Sequence, residues 1–69
     1  MKAGVPDLFL ALPRGIYHGA FIEIKYDSDR LRKNQFDMIE LLSAQGYKCL
    51  VVNSLDEFIK GVDEYLIIK

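Results

Sequence analysis

The chain has one cysteine and one histidine in 69 residues, and each scarcity closes off a chemistry. A single cysteine excludes an internal disulfide. Cys49 lies in the apolar run Tyr47-Lys48-Cys49-Leu50-Val51-Val52 and reads as a reduced core residue, which suits an intracellular setting. His18 has no second histidine, and neither a zinc-ligand spacing nor a Ser/His/Asp set is visible. No glycine-rich loop of the phosphate-cradling kind is present. No signal peptide is visible, and no apolar run is long enough to span a bilayer. Repeats, low-complexity stretches and linkers are also absent. The formal net charge of −1 gives no overall basic excess.

What remains is a short chain, 51% hydrophobic, that reads as one small domain over residues 1–69. A domain of this size is marginal alone and commonly leans on a metal, a partner or a second subunit. Its charge is unevenly placed. Residues 1–34 carry six Lys/Arg (Lys2, Arg14, Lys25, Arg30, Arg32, Lys33) and four acids (Asp7, Glu23, Asp27, Asp29). Residues 35–69 carry three Lys/Arg and six acids. Phosphate contacts need a local basic excess rather than a basic total. Arg14, Arg30, Arg32 and Lys33 are therefore the candidate phosphate-contacting residues, against the plain alternative of solvated surface charge.

The apolar pattern predicts five elements. A strand runs from about Asp7 to Leu12, opened by Val5-Pro6, and a second from about Tyr17 to Lys25. Pro13, Gly15 and Gly19 between them suit a hairpin. The polar turn Tyr26-Asp27-Ser28-Asp29 offers caps for a helix over about Arg30 to Gln45. Its apolar stripe is Leu31, Met38, Ile39 and Leu42, widened by Phe36. Gly46 is a natural stop. Tyr47 to Asn53 reads as a third strand, apolar enough to be central. Ser54-Leu55-Asp56-Glu57 is a capping box for a second helix to about Leu66, with Phe58, Ile59, Val62, Tyr65 and Leu66 facing inward. The order β-β-α-β-α makes a small mixed three-stranded α/β sheet. Its third strand lies parallel to the second through the crossover helix.

Parity along the strands brings chemistry together. Glu23 and Lys25 share a face. A hairpin centred on Gly15 sets Pro13 opposite Tyr17, Ala11 opposite Gly19, Phe9 opposite Phe21 and Asp7 opposite Glu23. Opposed residues have Cβ atoms roughly 4.5–5.5 Å apart. Two carboxylates that close repel unless a cation lies between them, and a slip of one residue would separate them. Magnesium accepts hard oxygen ligands and keeps several waters. Asp7, Glu23 and the backbone carbonyl of Ile24 are the expected ligands. Lys25 would hold an attacking water or offset charge on a phosphate. Gln35 falls on the helix's apolar stripe, where a polar side chain needs a partner. Tyr17, Tyr26, Phe36 and Tyr47 read as core or boundary residues rather than base-stacking platforms.

The segments Lys2-Ala3-Gly4-Val5-Pro6-Asp7-Leu8-Phe9-Leu10 and Gly19-Ala20-Phe21-Ile22-Glu23-Ile24-Lys25, then Leu31 with Gln35 and Gln45-Gly46-Tyr47, resemble the VRR-NUC domain. That is the virus-type replication-repair branch of the PD-(D/E)xK nucleases. A lone Glu-x-Lys is weak; Gly-Val-Pro-Asp followed by Glu-x-Lys and then Gln at this spacing is specific, and the likeness covers nearly the whole chain. The resemblance implies a restriction-endonuclease-like core and a magnesium- or manganese-dependent DNA endonuclease. In it Asp7 and Glu23 bind metal, Lys25 is catalytic and Gln35 completes the site. Short members of that family occur in phages and bacteria and are associated with dimeric cleavage of branched DNA, four-way junctions included. The implied setting is the cytoplasm of a bacterial or phage-infected cell.

One departure accompanies the resemblance. Family members usually begin with a further helix, often carrying another acid, and this sequence starts at Met1-Lys2-Ala3-Gly4 without it. The expectation is a short or N-terminally truncated form. The apolar end Tyr65-Leu66-Ile67-Ile68 exceeds what one short helix buries, so a homodimer is expected. Two other functions compete: a non-catalytic DNA-binding or assembly module, and an inactive fragment of a larger repair nuclease.

Overall fold

Alternating apolar residues and a register-setting hairpin produce a mixed sheet. The computed structural model describes residues 4–26 and 29–69. Its elements are β1 (Leu8–Leu10), β2 (Ala20–Ile24), α1 (Lys33–Ala44), β3 (Lys48–Val52) and α2 (Leu55–Leu66). β2 pairs antiparallel with β1 and parallel with β3, in the order β1-β2-β3. Leu8, Phe9 and Leu10 face Ile22, Phe21 and Ala20, the register expected from a hairpin centred on Gly15.

Parity then divides the sheet. Phe9, Phe21, Glu23, Cys49 and Val51 project from one face; Leu8, Leu10, Ala20, Ile22, Ile24, Leu50 and Val52 project from the other. α1 lies on the first face, where the Cys49 thiol reaches the Ile39 carbonyl at 3.8 Å. α2 lies on the second, with Gly61 close against Leu50. Both helices pack chiefly on β3. The core is small: Ala20, Ile22, Met38, Val52 and Tyr65 are buried. The Tyr65 hydroxyl donates to the Leu12 carbonyl at 2.7 Å, which satisfies it and ties α2 to the hairpin.

Several expectations are corrected. All three strands are shorter than the apolar runs that announce them, because ladder pairing ends before the apolar residues do. β3 is an edge strand rather than central; the two connections leave β2 as the strand flanked on both sides, and Val51 is 45% exposed. At the hairpin tip Arg14 and Tyr17 exchange backbone hydrogen bonds of 3.0 and 2.8 Å, so Tyr17 does not face Pro13. Pro13 has no N–H for a ladder, and Gly15 at φ +54° permits a two-residue turn one step further on.

α1 starts at Lys33, not Arg30, with Arg32 at its N-cap; of the proposed caps, Asp27 and Ser28 lie outside the described residues. Phe36 is 58% exposed and does not widen the buried stripe. Ile59 and Leu66 are also exposed, since β3 is narrow and accepts only the Phe58–Val62–Tyr65 side of α2. Tyr26 is exposed rather than a boundary residue. Gly46 ends α1 as expected, at φ +93°.

Gly4 seats the chain before β1 on α1. It has φ +88°, and a Cβ there would lie 2.5 Å from the Asn34 carbonyl oxygen, a backbone atom that cannot swing aside. Gly4→Ala is expected to cost roughly 1–3 kcal/mol, the range for overpacking a fitted contact. Urea unfolding checks this, and a midpoint equal to the parent's would show that the contact yields freely.

Candidate metal and phosphodiester site

β2 carries the centre of the site. Glu23 sits on it opposite Val51 of β3, one residue beyond the last pair with β1, and is 4% exposed. Lys25 follows on the same face, its backbone N–H donating to the Val52 carbonyl at 2.8 Å and so continuing the β2–β3 ladder. Its ammonium lies 3.5 Å from Glu23 Oε2, with the side chain only 14% exposed. Asp7 stands at the start of β1, and its Oδ2 accepts the Ile24 backbone N–H at 2.9 Å.

Gln35 links α1 to this strand. Its Oε1 accepts from Lys25 Nζ at 2.8 Å and from the Arg32 backbone N–H at 2.9 Å, and its Nε2 donates to Glu23 Oε2 at 3.2 Å. One amide side chain thus completes a helix N-terminus and holds both charged groups of β2. The sequence marks Gln35 as needing a partner. It does not reveal the capping bond, because a helix begun at Arg30 places Gln35 in the wrong turn. The Asp7 bond to Ile24 is also invisible in the sequence; its only signal is the proline that precedes Asp7.

The electrostatics are those of a charge held out of water. Burial raises the Glu23 pKa above its ordinary carboxylate value, and the Asp7 charge raises it further; Lys25 pulls it back through its charge and hydrogen bond. The structure therefore brings Asp7, Glu23, Lys25 and Gln35 together, with Ile24 between the acid and the lysine. Among the described residues no group of three or more His, Cys, Asp or Glu side chains gathers. The donor set is two carboxylates, with a main-chain oxygen beside them.

The expected phosphate-contacting residues separate. Arg30 and Arg32 are exposed in the segment leading into α1. Lys33 is exposed and paired with Asp37 at 3.0 Å, one turn along α1. Arg14 lies at the hairpin tip, the other end of β2 from the carboxylates. Its guanidinium donates to the Leu66 carbonyl at 3.1 Å and the Pro13 carbonyl at 2.7 Å. It closes the end of α2 and is not part of this cluster. The charge count over residues 1–34 puts it in the basic half; the hairpin carries it away.

The chain thus presents a three-stranded mixed α/β sheet with an acid–lysine–glutamine cluster at the carboxyl end of its central strand. The sequence model of the VRR-NUC domain matches residues 1–56. A solved structure of a VRR_NUC domain protein superposes with a TM-score of 0.90 at 39% identity, over 96% of this chain and 55% of that one. The chain spans about half the length of that protein. No match was found among curated proteins. This chain belongs to the VRR-NUC family, a nuclease-family domain. Among the described residues, no helix is long and apolar enough to cross a membrane.

Proposed function

We propose that this chain is a metal-dependent endonuclease domain that hydrolyses DNA phosphodiester bonds, with branched DNA such as four-way junctions as the preferred substrate. The observation that carries the reading is the Asp7–Glu23–Lys25–Gln35 cluster. Glu23 is buried and feels the negative charge of Asp7, and that repulsion is the kind a divalent cation relieves. The donors are all hard oxygens, which suits magnesium or manganese. Asp7, Glu23 and the Ile24 carbonyl would hold the ion. When bound, it would supply Lewis acidity toward a phosphoryl oxygen and lower the pKa of a coordinated water.

The chain's own groups do the rest. Lys25 lies beside Glu23 and is held by Gln35, so its ammonium has few places to go. From there it orients the attacking water and offsets negative charge as the phosphorus becomes five-coordinate. Gln35 fixes Lys25 and Glu23 relative to each other, which makes it a positioning residue rather than a participant. Arg30 and Arg32, exposed beside the N-terminus of α1, would take flanking phosphates.

Incubation of the full chain with a labelled four-way junction and with linear duplex, each with magnesium, manganese or chelator, tests this reading. Metal-dependent cutting of the junction is expected. Failure to cut any DNA in either metal would overturn it.

We also propose a homodimer, since two symmetric sites suit paired cuts in a symmetric junction. The apolar side chains of Phe9, Leu12, Leu55 and Ile67 are all exposed in the single chain, Leu55 and Ile67 by more than two thirds. Sedimentation over a concentration range is expected to show a monomer–dimer equilibrium. A folded monomer at millimolar concentration would remove the case for paired cutting.

A further inference from the structure

The β1–β2 ladder stops one step short of the candidate metal site, and the reason lies in position 6. The pairs Leu8–Ile22, Phe9–Phe21 and Leu10–Ala20 run in a constant register, which extends to Asp7–Glu23 and then Pro6–Ile24. Antiparallel pairs alternate: in every second pair the two residues exchange both N–H···O bonds. The Lys25 N–H goes to Val52 on β3, whereas the Ile24 N–H goes to the β1 side. Ile24 therefore occupies a bonding position toward β1, and its carbonyl leans the same way as its N–H.

The ladder bond to that carbonyl would come from the N–H of residue 6. Proline has no N–H. Pro6 is buried, the chain bends at Asp7, and Gly4 is seated against Asn34 of α1. The Ile24 N–H, which would otherwise seek the residue 6 carbonyl, is taken by Asp7 Oδ2 at 2.9 Å.

We propose that Pro6 is a positioning residue of the metal site. By withholding the ladder donor it keeps the Ile24 carbonyl available to a cation, and it commits Asp7 Oδ2 to the Ile24 N–H, which would leave Oδ1 for a cation. The inference rests on the metal-site reading above. A proline that merely opens a strand would serve rigidity alone, and the two roles separate on one atom, the amide hydrogen.

Pro6→Ala supplies that hydrogen. A second variant with N-methylalanine at position 6 removes the ring but again offers no N–H. It is accessible by joining synthetic residues 1–48 to 49–69 at Cys49. Two readouts apply, the first to Pro6→Ala alone and the second to the parent and both variants. The first needs no metal: exchange protection of the residue 6 amide and its scalar coupling across a hydrogen bond to the Ile24 carbonyl. The second is the dissociation constant for manganese, from water-proton relaxation.

In Pro6→Ala the new amide is expected to be protected and coupled to Ile24. Manganese should bind about 10–100-fold more weakly, the range for losing a supporting contact. N-methylalanine should restore binding to the parent's value. An unprotected residue 6 amide in Pro6→Ala, with parental manganese affinity, would overturn the inference and leave the metal-site reading intact. So would an N-methylalanine chain as weak as Pro6→Ala, which would assign the effect to the ring. A parent chain that binds no manganese would remove the metal-site reading itself, and the role of Pro6 with it.

Discussion

Lys25→Ala cuts DNA on the order of 10²–10³-fold more slowly than the parent, the cost of losing one preorganised charge aimed at the transition state, with little change in DNA affinity. The expectation follows from where the ammonium sits. It is nearly buried, held at 2.8 Å by Gln35 and at 3.5 Å from Glu23, so its charge is aimed before the substrate arrives. An exposed lysine would contribute mainly to binding. Single-turnover cleavage and fluorescence anisotropy on one junction separate the two. Equal losses in rate and affinity would make Lys25 a phosphate anchor instead. Metal affinity must be measured alongside, because removing Lys25 also removes the cation that holds the Glu23 pKa down.

Glu23→Gln is expected to weaken manganese or magnesium binding more than about 100-fold, beyond the 10–100-fold typical of supporting residues, and to abolish cutting with it. Shape is nearly conserved, and the amide oxygen can still accept from Gln35 Nε2. The same substitution has a signature without metal. The folded-state pKa of Glu23 lies above its ordinary value of 4.5. Between the two values the folded chain holds a proton that the unfolded chain has released. The stability tied to the protonated form is present below about 4.5 and is lost as pH rises through the raised folded value. Glu23→Gln removes that loss. Relative to the parent, the metal-free variant should gain stability as pH rises from about 4.5 toward neutrality. Urea midpoints across that range decide it. A difference constant with pH would mean that Glu23 is solvated in the folded chain and not poised for a cation.

Much of this was legible in the residues. The β-β-α-β-α order follows from runs of alternating and helical apolar spacing, and the register of β1 on β2 is the one a hairpin centred on Gly15 predicts, although the tip itself pairs Arg14 with Tyr17. That register brings Asp7 to the end of β1 next to β2, where it bends out of the ladder and its Oδ2 accepts the Ile24 N–H. Gln35 was marked by a local contradiction, a polar side chain on an apolar stripe, and such contradictions persist where they have a partner. The family was legible in Gly-Val-Pro-Asp, Glu-x-Lys and Gln at their spacing, and the match over residues 1–56 bears it out.

Other features were set only by the assembled sheet. An apolar run reads the same whether its strand has one neighbour or two, so β3 looked central and proved to be an edge. Helical periodicity shows that α2 has an apolar side but not how much sheet lies beneath it, which is why Ile59 and Leu66 stay in water. Arg14 counts toward a basic half in one dimension, while the hairpin places it at the opposite end of β2 and turns it to the carbonyl of Leu66. The bond from the Ile24 N–H to Asp7 needs a ladder that ends where a proline stands. Spacing along the chain dictated which residues could share a face. Which faces met, and which main-chain groups were left for other work, depended on long-range pairing between strands, and no local pattern encodes that.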